Sequence, residues 1–518
     1  MVDTMTPHKN ATRGHVRGSV LLVSGRVLAI FINFSVQILT VRYLTKSDYG
    51  LFAFALSVAG VLSILSAFGM DKAASRFLSV QLQDQDYSRF WGMVSLMFAT
   101  VVGLGVIGTG IFLFGWLLGI PVLTSDPGAQ CVLAVIAGLA VCNALDTVFI
   151  ALFAVLASPS TIFVRRYLLG PLLKLASAII VVLLGGDVFT FAIGQLVAGV
   201  LGVGVCVSLS FGILRRHPKL LAATSRPFTF PFRQLYGYSA TLLSGDFAFL
   251  LRGALVPLVL GLLFQGEEIA SFTAVLPFAR LNEFVLLTFS VLFLPNAAKL
   301  SASEQHVELQ ALFENTTLWI TVLTFPVFAG SFLLAHALPV WLFGADYQSS
   351  GIILAWLALG YYANASFGTG LRLLRATRKL GTLLLADLLL VGIAAGTVFF
   401  LVPRYGALGG AWAVCATYVA QALLYLVLVA STTTVNPFMI RCVAPFVFGV
   451  GLCATTESVR ILLAAGWAFS LVAAGLHSIV VLLVFGRDLD VLGAFPEIAK
   501  LPLLRRWLPT TSKTANAP

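Results

Sequence analysis

Charged side chains are scarce in this chain, since Asp, Glu, Lys and Arg together form only 10% of its 518 residues. Acidic residues are the scarcer kind, with 21 against 32 Lys and Arg, which leaves a formal net charge of +11. Hydrophobic residues make up 59% and mean hydropathy is +0.99, whereas soluble domains are ~45–50% apolar even with Gly included. The composition therefore excludes an ordinary soluble domain and indicates a polytopic membrane protein.

Sequence patterns of catalytic and metal sites are also missing. There is no HExxH, GxSxG or GxxxxGK[ST] pattern, and His336 and His477 are isolated, so we expect no enzyme activity, no metal and no cofactor. Gly103, Gly105 and Gly108 form a GxGxxG pattern inside an apolar run, which favours close helix packing over nucleotide binding. Energy for any transport would come from an ion gradient, a substrate gradient or a partner protein, with H+ and Na+ as candidate coupling ions.

Cysteine is rare, and its spacing indicates no disulfide or metal framework. We interpret the cysteines as buried free thiols because all six lie in apolar runs without CxxC spacing. They are Cys131, Cys142, Cys206, Cys415, Cys442 and Cys453. Lys and Arg cluster in short loops between apolar runs, a placement that orients a membrane protein and argues against nucleic acid as a partner.

Long apolar runs predict an all-α fold of about fourteen transmembrane helices, because ~20 apolar residues are needed to cross a ~30 Å hydrocarbon core. The predicted helices begin near Gly18, Gly50, Trp91, Gln130, Phe163, Val188, Tyr236, Ile269, Asn315, Ser350, Leu380, Leu408, Pro437 and Val459. The polar tail at 1–17 lacks the cleavage pattern of a signal peptide, so the first run is expected to be retained.

The distribution of basic residues predicts that both termini are cytoplasmic. If the amino end is inside, only Arg42, Lys46, Arg404 and Arg460 fall in outer loops. Most other Lys and Arg then fall inside, as the positive-inside rule requires. The tails 1–17 and 486–518 would be cytoplasmic, the protein would lie in the cell inner membrane, and its short outer loops would hold no folded domain.

A basic segment at 214–235 divides the chain into two predicted lobes. It contains Pro218, Pro227 and Pro231, which disfavour a continuous helix. Short matches recur at one constant offset on its two sides, such as Ser24-Gly25-Arg26 with Ser244-Gly245-Asp246. We therefore expect a parallel pseudo-repeat of two six-helix lobes at 18–213 and 236–430, followed by two further helices at 431–485.

Polar side chains inside apolar runs are the candidate functional residues, because a charge at the bilayer centre costs at least ~2.5–3.5 kcal/mol. Arg26, Asn33 and Gln37 share one face of the first helix at ~100° per residue. Arg280 and Glu283 have the spacing of helical neighbours, with Pro277 one turn earlier. Asn282 lies between them, and the seventh helix carries Asp246 and Arg252 on different faces.

Structural roles compete with functional ones at several of these positions. Arg26 could snorkel to the interface, and Arg280 with Glu283 could be a purely structural pair. Asn143, Asp146 and Asp387 could serve as interhelical hydrogen-bonding groups. Lys174 could reach a cavity, whereas the adjacent pair Arg165 and Arg166 is interpreted as interfacial anchors.

Three stretches in chain order resemble a known family. Residues 39–44 (LTVRYL) followed by 48–52 (DYGLF) are similar to the R-x-L-x-x-x-x-Y-G signature of polysaccharide flippases. Residues 340–347 (VWLFGADY) and 401–411 (LVPRYGALGGA) resemble further stretches of the same family. The chain thus resembles the oligosaccharide flippase branch of the multidrug/oligosaccharidyl-lipid/polysaccharide exporter superfamily.

The resemblance implies a V-shaped transporter that moves a polyprenyl-pyrophosphate-linked oligosaccharide by alternating access. Cationic and polar residues would bind this lipid-linked cargo: Arg26, Asn33, Gln37, Lys174, Arg252, Arg280 and Asn282. Asp246, Glu283 and Asp146 would serve coupling or gating. The lipid bilayer and polysaccharide polymerase or export proteins would be its partners, in O-antigen or exopolysaccharide biosynthesis.

Two other functions are compatible with parts of the sequence. An ion-coupled drug or metabolite antiporter of the same superfamily would share the twelve core helices. A membrane glycan polymerase or ligase would need a sizeable outer loop with catalytic Arg and His, and the short outer loops 121–129 and 265–268 count against it.

Overall fold

The structure is a computed structural model that describes residues 6–124, 126–156, 159–222, 227–264, 266–377, 380–486 and 489. Side chains are described throughout these ranges except at 6–23, 159, 241–252 and 380. All regular elements in the described ranges are helical, as expected for a chain whose backbone polar groups must be satisfied within a bilayer.

The helices group into two compact units, the first extending to Ala270 and the second starting at Ser271. The first unit contains α1 (Thr6–Tyr43), α2 (Lys46–Ala67), α3 (Met70–Gln83), α4 (Tyr87–Leu118), α5 (Pro127–Leu156), α6 (Pro159–Ile162), a π-helical segment (Phe163–Leu169), α7 (Gly170–Leu183), α8 (Val188–Arg215), α9 (Pro218–Ala222) and α10 (Phe232–Leu263). These units are defined by contacts between residues and not by membrane topology. The predicted division into two lobes at the linker 214–235 therefore stays a prediction.

The helix α11 (Gly266–Arg280) crosses the boundary between the units. The second unit continues with α12 (Glu283–Ala302), α13 (His306–Leu333), α14 (Leu338–Phe343), a 3₁₀ turn (Ala345–Tyr347), α15 (Ser350–Phe367), α16 (Thr369–Ala376), α17 (Leu380–Thr432), α18 (Ile440–Leu462) and α19 (Trp467–Phe485).

Eleven helices in the described ranges are long and apolar enough to cross a membrane, which makes the protein a multi-pass membrane protein. The exact count of fourteen is not confirmed. The 53-residue helix α17 contains a non-helical residue, Gly406, with φ 55° and ψ −134°, so it consists of two helices that meet at a kink. This kink lies near Leu408, where one predicted helix was to begin.

The start predicted for the last helix, near Val459, is wrong. Val459 lies in the last turn of α18, and α19 begins eight residues later at Trp467. Arg460 donates two hydrogen bonds to the Glu457 carboxylate one turn earlier, at 2.9 and 2.6 Å. This ion pair neutralises two charged groups and lets the helix continue beyond Val459.

Each unit has its own apolar core. In the first unit, buried side chains of α3, α4 and α5 pack together around Phe90 and Met93. In the second unit, the core joins α13 and α15 to α18 and α19. The ring of Tyr362 stacks on Phe328 and Phe446 with centroid distances of 4.5 and 5.2 Å, so the two final helices are part of this core.

Two helix starts approach closely within the first unit, because both carry Gly. A Cβ atom on Gly50 in α2 would collide with the carbonyl of Gly266, and one on Gly266 would collide with the carbonyl of Ser47. Gly is the residue that allows such a backbone approach. The Tyr-Gly pair singled out in the sequence signature therefore has a packing role.

We expect Gly50→Ala to destabilise the protein by ~1–3 kcal/mol, the usual cost of overpacking a close contact. The matched control is Gly60→Ala in the same helix, where an added Cβ meets open space and helix propensity improves. Thermal unfolding of both variants in detergent measures the difference. Equal melting temperatures for the two variants would contradict the proposed packing role.

Asp187 is the N-cap of α8, and we expect its carboxylate to make a pH-dependent contribution to stability. Its Oδ1 accepts hydrogen bonds from the Thr190 backbone N–H at 2.9 Å and the Thr190 hydroxyl at 2.8 Å. These bonds lower the pKa of Asp187 below its ordinary value. The stabilisation is therefore complete above the unfolded-state pKa of ~3.9 and is lost as the pH falls through the lower folded-state pKa.

Replacing Asp187 by Ala should cost ~0.5–2 kcal/mol at neutral pH, because a helix donor loses its acceptor. Asp187→Asn keeps a capping oxygen without a titrating group and should retain most of this stability. Unfolding measured between neutral and acidic pH checks both variants. The capping assignment fails if Asp187→Ala matches the wild type at neutral pH.

Candidate functional site

The strongest charged cluster in the first unit centres on Arg165, which is 6% exposed. Its Nη2 lies 2.5 Å from Oδ1 of Asp146 on α5. Its Nε donates a hydrogen bond to the sulfur of Cys206 on α8 at 2.9 Å, and this thiol donates to Asp146 at 3.4 Å. Three elements are thus joined by one guanidinium group inside the helix bundle.

Local backbone geometry creates room for this side chain. Arg165 lies in the π-helical segment Phe163–Leu169 between α6 and α7, and such segments are frequently found at functional sites. An added Cβ on Gly202 would come within 2.8 Å of the guanidinium, and one on Gly170 within 3.0 Å. Glycine at these two positions therefore lets the buried guanidinium fit between α7 and α8.

A cavity of about 160 Å³, called here the Arg165 pocket, lies beside this cluster. It brings together three residues that the sequence predicted as site residues, Asn33 from α1, Asp146 from α5 and Lys174 from α7. Asp146 and Arg165 both act electrostatically on the Lys174 ammonium group. With Arg166 also in the lining, three basic groups accompany one carboxylate, and the cavity is suited to an anionic ligand.

The interpretation of Arg165 as an interfacial anchor is wrong, because it is buried and paired with Asp146. Arg166 is exposed and lines the cavity. The signal that could have located the cluster was a pair of opposite charges, Asp146 and Arg165, inside neighbouring apolar runs. Asn143 lines the same cavity.

The polar stripe predicted on α1 divides between different environments. Asn33 lines the cavity, whereas Gln37 donates a hydrogen bond from Nε2 to the hydroxyl of Tyr49 at 2.6 Å. Arg26 is partly exposed on the same helix. The structure therefore brings only Asn33 of the three into contact with the Arg165 pocket.

In the second unit, the predicted continuous helix around residues 280–283 is wrong. The helix α11 ends at Arg280, and α12 begins at Glu283 after a turn. Asn282 in this turn is fully buried, and its Nδ2 donates to the Ala279 carbonyl at 2.9 Å. The amide oxygen of Asn282 has no partner among the described residues, which leaves one buried acceptor at the break.

Arg280 and Glu283 contact α15 instead of forming a direct ion pair. The Nε of Arg280 donates to the Tyr361 hydroxyl at 3.1 Å, and Asn364 donates from Nδ2 to the Glu283 carboxylate at 2.5 Å. No ion pair within 4.0 Å joins Arg280 to Glu283 in this described region. The turn between the two helices directs the side chains of Arg280 and Glu283 to positions about one helical turn apart on α15.

Other polar residues extend this network, and the sequence reasoning missed them. Gln421 of α17 donates to the Asn364 side-chain oxygen at 2.7 Å, and Arg372 of α16 donates to the Ser290 hydroxyl at 2.8 Å. Arg280 and Arg372 both act electrostatically on Glu283. Single amides such as Asn364 and Gln421 carry little signal in an apolar run, so their pairing became visible only in the fold.

Two predicted site residues lie outside the described side chains, namely Asp246 and Arg252 on α10. Asp387 was predicted to be an interhelical hydrogen-bonding group. It accepts a hydrogen bond from the Tyr425 hydroxyl at 2.9 Å, across the two segments of α17, which confirms that prediction.

Removing the charge of Asp146 should destabilise the first unit. Asp146→Asn leaves the Arg165 guanidinium buried without its counter-charge, a change that typically costs ~3–5 kcal/mol. The double variant Asp146→Leu/Arg165→Met removes both charges and should recover most of that loss. Unfolding in detergent measures both variants, and a double variant less stable than Asp146→Asn would contradict the pairing.

Solved structures with the same fold are distant in sequence. A lipid II flippase, MurJ, in an inward closed conformation has a TM-score of 0.65 at 15% identity, with 92% of this chain and 99% of that chain covered. An inward-facing multidrug resistance MATE family transporter of the MOP superfamily has a TM-score of 0.64 at 13% identity, with 80% and 97% covered. The chain therefore has the MurJ/MATE-like transporter fold.

No curated protein matches the chain by sequence. The sequence profile of the polysaccharide biosynthesis protein family matches residues 39–352, which is more than half of the chain. This range includes α2 with its Tyr-Gly pair, Arg165 with Asp146, and Glu283, whereas Asn33 of the pocket and Asn364 of the Glu283 network lie outside it. The chain belongs to the polysaccharide biosynthesis protein family.

Proposed function

We propose that the protein is a flippase that moves a polyprenyl-pyrophosphate-linked oligosaccharide across the cytoplasmic membrane by alternating access. Family membership and the transporter fold support transport in polysaccharide biosynthesis. The observation that carries the proposal is the small cavity in the first unit, where Lys174, Arg165 and Arg166 accompany the single carboxylate of Asp146. A pyrophosphate or acidic sugar is the type of group that such a cavity would attract.

The polar residues of the cavity suit a glycan as well as an anion. Asn33 and Asn143 supply amide donors and acceptors, which can replace water around sugar hydroxyl groups. Lys174 supplies an ammonium group in the cavity lining, whereas Arg165 is already held by Asp146 and Cys206. We therefore assign charge recognition to Lys174 and Arg166, and a positioning role to Arg165.

The Glu283 network supports a role in coupling. The Glu283 carboxylate is held by the neutral amide of Asn364 and influenced by the cations Arg280 and Arg372. It lies at the first residue of α12, directly after a break between two helices. In transporters, breaks between helices form binding sites for substrates and coupling ions, and a proton or Na+ would be the coupling ion here.

Leaflet translocation of a fluorescent polyprenyl-pyrophosphate oligosaccharide in vesicles containing the purified protein tests the proposal. Transport that responds to a pH or Na+ gradient would support a coupled flippase. Failure with several glycan lipids, together with gradient-driven efflux of soluble cations, would favour the antiporter and overturn the proposed substrate.

In the same assay, Lys174→Gln should reduce translocation by ~10-fold or more, because a charge-assisted hydrogen bond contributes ~1.5–3 kcal/mol. The matched control is Lys299→Gln at the end of α12, which removes the same charge from an exposed position. Membrane expression of both variants should equal that of the wild type. Full activity of Lys174→Gln would exclude this residue from cargo binding.

A further inference from the structure

A second cavity in the first unit has a different character from the Arg165 pocket. It has a volume of about 270 Å³ and lies between the ends of α4, α5 and α8. Its walls are aromatic and aliphatic, including Phe98, Phe153 and Leu214, with the hydroxyl of Ser210 among them. Apolar cavities of this kind do not retain water but accept apolar ligands.

This cavity opens toward the surface that would contact lipid. Phe211, which lines it, is 62% exposed, and Val207 one turn earlier is 40% exposed. Phe90 and Phe153 form buried walls on the opposite side. An acyl chain entering from the bilayer would therefore exchange contact with other lipid chains for contact with these aromatic rings.

Basic residues lie directly beside the same end of the cavity. Leu214 in its lining is followed by Arg215 and Arg216, both exposed, and Lys219 is exposed on the short helix α9. Arg89, near the start of α4, is paired with Asp86 at 3.7 Å. The three residues Arg215, Arg216 and Lys219 thus provide a positive edge to an apolar cavity.

The linker after α8 is fixed to the cavity wall. The indole N–H of Trp91, which lines the cavity, donates to the Leu220 carbonyl at 2.9 Å. Ser88 donates from its hydroxyl to the Pro227 carbonyl at 2.7 Å. An added Cβ on Gly92 would collide with the Thr229 carbonyl, so the linker passes directly against α4. Lys219 is therefore held near the cavity.

We propose that this cavity binds an anionic phospholipid of the surrounding bilayer, with an acyl chain between α4, α5 and α8 and the phosphate at Arg215, Arg216 and Lys219. The apolar walls account for the chain, and the exposed guanidinium and ammonium groups account for the anionic headgroup. The occupant is a lipid and not a soluble phosphate, because the charges lie next to an apolar cavity. The site does not depend on the proposed transport substrate.

Native mass spectrometry of the full-length protein tests the site, using phosphatidylglycerol and phosphatidylcholine with identical chains. The wild type should bind the first phosphatidylglycerol roughly 100-fold more tightly than phosphatidylcholine, because each of the three basic residues contributes about 1 kcal/mol. Arg215→Gln/Arg216→Gln should weaken phosphatidylglycerol binding by roughly 10- to 30-fold and leave phosphatidylcholine unchanged. Equal affinities of the wild type for the two lipids would overturn the proposal.

The matched control for charge is Lys299→Gln/Arg375→Gln, which removes two exposed basic residues from the second unit. An equal loss of phosphatidylglycerol binding in this variant would show that the loss comes from general surface charge, and it would overturn the proposed lipid site. The proposal would also be overturned if polyprenyl phosphate displaced phosphatidylglycerol from the wild type at a concentration below that of phosphatidylglycerol. The cavity would then be a binding site for the carrier lipid.

The chain-binding part is tested by filling the cavity with Ser210→Phe, which should weaken the first-bound lipid of both types. Size-exclusion chromatography and thermal unfolding establish that the variant is folded. Val207→Phe, at the exposed side of the cavity, is the second substitution if Ser210→Phe does not fold. Unchanged lipid binding in a folded variant would exclude this cavity as the chain site.

Discussion

The structure of the first unit depends on the burial of one guanidinium group. Moving a charge out of water costs several kcal/mol, and this cost is offset only when a counter-charge and further hydrogen-bond partners are in place. Arg165 has both, because Asp146 supplies the charge and Cys206 accepts from Nε. The π-helical segment places Arg165 between α5 and α8, and Gly202 leaves the space that its guanidinium occupies. The glycine at position 202, the π-helical backbone and the charge of Asp146 therefore all favour burial of the Arg165 side chain.

The carboxylate of Glu283 in the second unit is held differently. Glu283 has no direct ion-pair partner among the described residues and instead accepts from the amide of Asn364, which in turn accepts from Gln421. A carboxylate held by neutral amides can change partner at lower cost than one in a direct ion pair, because no second charge is left uncompensated. The break between α11 and α12 lies directly beside it. Asp146 of the first unit is thus held in a direct ion pair, whereas Glu283 of the second unit is held by the neutral amide of Asn364.

The sequence predicted the fold class and most helix positions, because the apolar runs are long and the charges between them are few. It singled out Lys174, Asn33 and Asp146, since polar groups stand out in apolar runs, and the structure places these three residues around one cavity; their functional role stays a prediction. It could not show that Arg165 is buried, because an adjacent Arg-Arg pair is typical of an interface and the π-helical turn leaves no sequence pattern. The break at Asn282 was also missed, because Pro277 lies five residues earlier and only the packing against α15 selects the turn. The roles of Asn364 and Gln421 are visible only in the fold, where their side chains form a hydrogen bond with each other.

The Arg165 pocket and the apolar cavity with Phe98 and Phe153 in its walls share the helices α5 and α8. Along α8, Ala198 and Gly199 line the charged cavity, whereas Val207 and Phe211 line the apolar one. Phe149 of α5 packs with Phe98 at 4.7 Å and belongs to one apolar cluster with Cys206. Phe98 and Phe149 line the apolar cavity, and Cys206 contacts both Arg165 and the aromatic cluster. A lipid chain in the apolar cavity would therefore pack against the same α5–α8 contact that keeps Arg165 beside Asp146.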